Sequence, residues 1–175
     1  GDQIFSRILN NENEHELYQN AICVLAHIYL ESNKKEFNKE EISYYSIDTL
    51  LEESNLFCDW FMEKHCKIVL TIEAKLKYQE ILKKLFNRID STSSSLVLRD
   101  YHVDNLILLK DRKGINQVGV IDFQDAVIGS NIYDLVSLLE DVRRPITMEL
   151  KEKLIEEYIY ITKYDPKRLL QEMRF

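Results

Sequence analysis

An α+β fold, mostly helical with a small β-hairpin insert, is predicted by three observations. Apolar residues recur at helical spacing through the first half of the chain. Between Leu96 and Ile121 the pattern shortens to runs of three or four, LVL, LILL and VGVI, which read as small strands. Beyond Tyr133 the helical period returns.

From Glu14 to about Tyr29, Leu17, Ala21, Val24, Leu25 and Ile28 form one stripe, which predicts a helix with a single buried face. The polar stretch ESNKKEFNKEE separates it from a second helical region around residues 47–64, where Leu50, Phe57, Trp60 and Phe61 are expected to pack in the core. Ala74, Tyr78, Ile81, Leu82, Leu85 and Ile89 mark a third helix, expected to stop at a loop made by Ser91 to Ser95. LILL and VGVI flank KDRKGINQ, whose charges and Gly114 suit a hairpin turn. After DFQDAVIGSNIYD, the residues Leu135, Leu138, Leu139 and Val142 predict a helix ending at Pro145, and Leu150, Leu154 and Tyr158 predict another.

A chain of 175 residues, 45% hydrophobic and 30% charged, suffices for one domain with a sizeable core. Its net charge is −7, with lysines scattered among glutamates, so no basic stripe exists to follow a nucleic-acid backbone. No apolar run is long enough for a bilayer, and no basic segment precedes an apolar leader; the expectation is a cytoplasmic protein without a membrane partner. Cys23, Cys58 and Cys66 lack C-x-x-C spacing and read as buried free thiols; His65 beside Cys66 lacks the further ligand pair a metal site needs.

The residues with chemistry in them sit in LVLRDYHVDNLILL, where Asp100, His102, Asp104 and Asn105 interrupt two apolar runs without glycine or proline. Asp100 and Asn105 are five apart at the ends of a loop between strands, and Asp122 follows VGVI seventeen residues after Asn105. A carboxylate can accept a proton from a substrate hydroxyl, while an amide oxygen and a second carboxylate are hard ligands suited to Mg2+. That division of labour fits phosphoryl transfer. The plainer reading is a polar loop with Asp122 capping a strand end.

The run from Leu96 to Arg144 resembles the C-terminal lobe of the aminoglycoside phosphotransferase and choline kinase-like family, within the protein kinase-like fold. It is especially similar to the bacterial branch of amino-sugar kinases acting on N-acetylmuramate and N-acetylglucosamine. The resemblance is weaker in GDQIFSRIL and in NLFCDWFM. It implies a transfer of the ATP γ-phosphate to a small-molecule hydroxyl, with an amino sugar as the expected acceptor and residues 96–125 as catalytic loop and metal-binding segment. It also makes Asp100 the catalytic carboxylate, Asn105 and Asp122 the Mg2+ ligands, and Asp134 a buried brace for the loop. By its position alone, Asp134 would cap a helix starting near Leu135. Asp125 reads first as a loop cap and His102 as a loop-bracing or exposed residue, with substrate contact the second reading for both. Arg143 and Arg144 are expected at a helix C-terminus, where positive charge is favourable.

Two departures from the family pattern stand out. A histidine usually lies two residues before the catalytic aspartate and braces the loop; here that position holds Leu98. A complete member also carries an N-terminal lobe with a phosphate-covering loop and a nucleotide-binding lysine, whereas only Gly1, Gly114, Gly119 and Gly129 occur here, no two close enough to cradle a phosphate. Lys67 reads as surface charge. Three classes follow: a kinase whose other lobe is supplied by a separate chain or lies outside this sequence; a truncated or split, inactive lobe serving as a binding or regulatory module; or a decaying gene product.

Overall fold

The computed structural model describes residues 3–34, 41–88 and 94–173. Its helices are α1 (Phe5–Ile8), α2 (Glu14–Ser32), α3 (Ile47–Leu56), α4 (Ile72–Phe86), α5 (Ile132–Leu139), α6 (Met148–Thr162) and α7 (Pro166–Glu172), with a π-helical stretch, Phe57–His65, running on from α3. The strands are β1 (Ser94–Val97), β2 (Leu106–Leu108), β3 (Val118–Val120) and β4 (Val127–Ser130).

Side-chain caps start four of the helices. Ser46, Thr71, Thr147 and Asp165 accept the N–H of Thr49, Ala74, Leu150 and Arg168 at 3.1, 3.1, 3.2 and 2.7 Å, each cap worth about 1 kcal/mol. Pro166 opens α7, where a missing N–H costs nothing. Lys163 ends α6 in the left-handed region at φ 56°.

The stripe predicted for Glu14 to Tyr29 is the spine of the core. Leu17, Tyr18, Ala21, Ile22, Leu25 and Ala26 of α2 are buried, together with Leu135, Leu138 and Leu139 of α5 and Leu150, Leu154 and Tyr158 of α6. Tyr101, from the loop after β1, is fully buried in the same cluster and donates its hydroxyl to Ala21 O at 3.0 Å. The polar loop of the sequence is therefore nailed to the central helix by its own apolar members.

Among the described residues the four strands form two antiparallel pairs. β2 and β3 form the expected hairpin, pairing Leu106 with Val120 and Leu108 with Val118, and Gly114 in its turn takes φ 57°. The second pair joins β1 to β4, with Leu96 opposite Ile128. β4 lies in the segment read as connection, and Ser94 and Ser95, read as loop, belong to β1. The remaining serines of that loop and Ile89 lie outside the described residues. Tyr45 N–H donates to Ile128 O and Ile128 N–H to Ser43 O, at 2.8 and 2.9 Å, so the stretch before α3 runs alongside β4.

Four further expectations are corrected. Phe57, Trp60 and Phe61 do not fill the core: they are 46, 60 and 49% exposed, and neither α3 nor α4 has a buried residue. Helical spacing gives one apolar face but not what lies opposite it; here the two helices pack on each other as an outlying hairpin, with Ile72 and Leu76 also exposed. Cys58 is buried, but Cys23 is only partly so and Cys66 is exposed. α5 ends at Leu139, six residues short of Pro145, leaving Val142 exposed. Arg143 and Arg144 consequently lie beyond a helix end and pair with acids instead, Arg143 with Asp104 at 3.3 Å and Arg144 with Glu14 at 3.0 Å. Among the described residues no helix is long and apolar enough to cross a membrane.

Candidate active site

β1 delivers the chain into residues 98–105, and two buried aspartates hold the ends of that loop. Asp134, inside α5 rather than capping it, accepts the N–H of Leu98 at 2.7 Å and of Arg99 at 3.0 Å. Burial raises its carboxyl to about 6; the two N–H donors work against that rise, and the nearby charge of Asp100 adds to it. Asp141, which sequence reasoning did not single out, accepts the N–H of Val103 at 3.3 Å and both the N–H and Nη1 of Arg143 at 2.9 and 3.2 Å. It lies just past the end of α5, and nothing local in the sequence marks it as a partner of Val103.

Leu98 is 7% exposed and belongs to the apolar core. Where the family pattern has a histidine, Leu98 packs its side chain into that core, while its N–H donates to Asp134.

A chain of hydrogen bonds links Asp100, Asn105 and the residue before Asp122. Asn105 Nδ2 donates to Asp100 O at 3.0 Å and faces His102 Nε2 at 3.5 Å. Asn105 O in turn accepts the N–H of Ile121 at 3.1 Å, extending the β2–β3 ladder by one step. With the amide nitrogen so occupied, Asn105 Oδ1 is the free oxygen of that side chain. Asp122 follows directly, exposed, at φ 62°, a left-handed conformation that an aspartate tolerates better than most residues. One of its oxygens accepts Gln124 Nε2 at 2.8 Å, and the other is free. Asp125 is exposed.

Among the described residues no three His, Cys, Asp or Glu side chains gather to hold a metal by themselves. The oxygens of Asn105 and Asp122 are nonetheless hard donors at adjoining positions of one ladder. Mg2+ characteristically takes only one or two protein carboxylates and fills its shell from water and phosphate.

Asp100 is exposed on the wall of a cavity of about 250 Å3, lined also by Arg99, His102, Ser137, Glu140 and Arg143. A hollow of equal volume between α2 and α6, lined by His15, Gln19 and Glu157, contains no residue of the loop. Sequence reasoning also missed a polar group on the far side of Arg99, whose guanidinium pairs with Glu53 of α3.

The phosphotransferase enzyme family model matches residues 47–170, which include Glu53, the loop 98–105, Asp122, Asp134 and Asp141. The chain belongs to this family. Among phosphotransferase relatives, the N-acetylmuramate/N-acetylglucosamine kinase of Caulobacter vibrioides is 27% identical over 164 residues, covering 91% of this chain and 45% of the relative. The kinase of the same name from Neisseria meningitidis serogroup B is 39% identical over 97 residues, 55% of this chain and 28% of that protein. The chain thus spans less than half the length of the curated relatives it matches. A crystal structure of aminoglycoside-3'-phosphotransferase of type VIII superposes with a TM-score of 0.60 at 15% identity, covering 98% of this chain and 65% of that one. The fold is therefore the kinase-like fold of the phosphotransferases.

Proposed function

We propose that this chain is the catalytic and acceptor-binding lobe of an ATP-dependent kinase of amino sugars, acting in the cytoplasm. The observation that carries the reading is the hydrogen-bonded path from Asp100 through Asn105 to the strand end bearing Asp122. In support of it, Asp100 is exposed on the cavity wall, and Asn105 Oδ1 and one Asp122 oxygen are left without a hydrogen-bond partner. The amino-sugar class rests on the names of the relatives.

In this reading the sugar enters the cavity and Asp100 accepts the proton of the attacking hydroxyl, which we assign as the anomeric one. Asn105 Oδ1 and Asp122 would hold Mg2+, which when bound neutralises charge on the phosphate oxygens. Asp134 and Asp141 keep the loop from drifting, so Asp100 meets the acceptor already oriented. The phosphate-covering loop and nucleotide lysine come from polypeptide beyond these 175 residues, in the same chain or a separate one; the greater length of the relatives supports this.

The test is phosphate transfer from ATP to N-acetylglucosamine or N-acetylmuramate, with the nucleotide-binding segment present, across a range of Mg2+ concentrations. Asp100→Ala should lower turnover about 10²- to 10⁴-fold at unchanged Mg2+ dependence. Asp122→Ala, and more mildly Asn105→Ala, should shift the Mg2+ requirement upward, because they remove ligands. Full turnover in Asp100→Ala would remove it from the proton-accepting role, and a wild type that binds sugar without transferring phosphate would favour a binding module.

A further inference from the structure

Arg99 immediately precedes the carboxylate proposed to meet the acceptor, and its backbone is in the left-handed region at φ 70°. A side-chain-bearing residue stays there only when its surroundings hold it. Asp134 holds the N–H, as described. The guanidinium turns the other way, to α3, where it pairs with Glu53 and lies over the ring of Tyr45 at 5.4 Å.

Glu53 is itself shared. Its second oxygen accepts the Tyr45 hydroxyl, and that hydroxyl is 3.3 Å from the hydroxyl of Tyr133 on α5. The two tyrosine rings meet edge to face at 5.2 Å. Tyr45 is fixed by its N–H to Ile128 of β4. The catalytic loop, α3 and the edge of β4 therefore meet at one carboxylate, and α5 joins them through the Tyr45 hydroxyl.

We infer that Arg99 and Glu53 are a positioning pair, which sets the backbone of Asp100 and couples the place of the α3–α4 hairpin to the catalytic loop. Both side chains are about one-third exposed, at 29 and 34%, so the pair is only partly screened by water. Arg99 Nε is buried without a partner, so Glu53 is the counter-ion of a cation that is desolvated on one side. The hairpin contributes no buried residue of α3 or α4 to the core, so this polar contact carries an unusual share of its attachment. A shift of α3 would pull on Arg99 and rotate the strained peptide just before Asp100. The inference rests on the role proposed for Asp100.

Glu53→Gln is the informative variant, since Glu53 does not line the cavity and the amide keeps its size. Hydrogen exchange in the 175-residue chain reads the loop directly: amides of Arg99 to Asn105 should exchange about tenfold faster or more, with the α2 and α6 amides unchanged. In the transfer assay, kcat should fall about tenfold or more with KM for the sugar within about twofold, because geometry and not affinity is lost. Arg99→Met should behave alike, the double variant should be no worse than either single one, and Arg99→Lys should recover part of the loss. Unchanged loop exchange in Glu53→Gln, or faster exchange spread evenly over the core, would overturn the pair. Wild-type protein that transfers no phosphate would instead overturn the proposed function, and the exchange measurement would still decide the pair.

Discussion

Asp134 must stay buried to hold two N–H groups, and burial makes its charge costly. Its carboxyl is raised from the ordinary 3.8 to about 6, so between about pH 4 and 6 the folded chain keeps a proton that the unfolded chain has released. Its contribution to stability is full below pH 4 and is lost as pH rises through 6, a difference of about 3 kcal/mol. Asp134→Asn should remove that dependence. It leaves one N–H without an acceptor, so it should be about 1–3 kcal/mol less stable than wild type at pH 4, with the gap closing above pH 6. Urea melts across that range check both. Leu98→His should cost about 1–3 kcal/mol in the same assay, because the imidazole would enter an apolar site whose backbone partner is already taken. Sequence displayed the acids of the loop because each interrupts an apolar run. Glu53 is 46 residues from Arg99, and Asp141 is 38 from Val103; the tertiary pairings they make have no local signature.

Among the elements, the long helices and the β2–β3 hairpin were legible, since periodicity over many residues or two runs around a turn give a repeated signal. β4 was not. Its four residues, VIGS, include a glycine, alternate too briefly to register, and owe their strand state to pairing with β1. That glycine has a packing reason: a Cβ at Gly129 would meet Tyr45 Cβ at 3.2 Å and Val97 Cγ2 at 3.3 Å. Gly129→Ala should therefore push the stretch before α3 away from β4, at a cost of about 1–3 kcal/mol in urea melts. It should also speed exchange of the Tyr45 amide. Full stability in that variant would mean that this stretch moves freely, against its backbone hydrogen bonds to Ile128. The outward face of α3 and the π-helical stretch shows the opposite limit, a periodic apolar pattern that was legible as helix and misread as core.

At the scale of the whole molecule, α2 organises one core, and the loop bearing Asp100 is fastened to it at Tyr101 and at two aspartates. In the proposed reading Asn105 and Asp122 face the phosphate, while the four scattered glycines build no cradle for it. The kinase-like fold was legible because the loop that carries it is local in sequence; the cavity beside Asp100 was not, because its wall joins that loop to the end of α5. The central claim is that Asp100 takes a proton from a sugar hydroxyl while phosphate is transferred to it. The most direct measurement is phosphorus NMR of ATP, Mg2+ and N-acetylglucosamine incubated with the protein and its nucleotide-binding segment, wild type beside Asp100→Asn. The expected result is a sugar phosphomonoester at the anomeric oxygen with the wild type and none with the variant over the same time. Release of inorganic phosphate alone by the wild type, or equal sugar phosphate from both proteins, would contradict it.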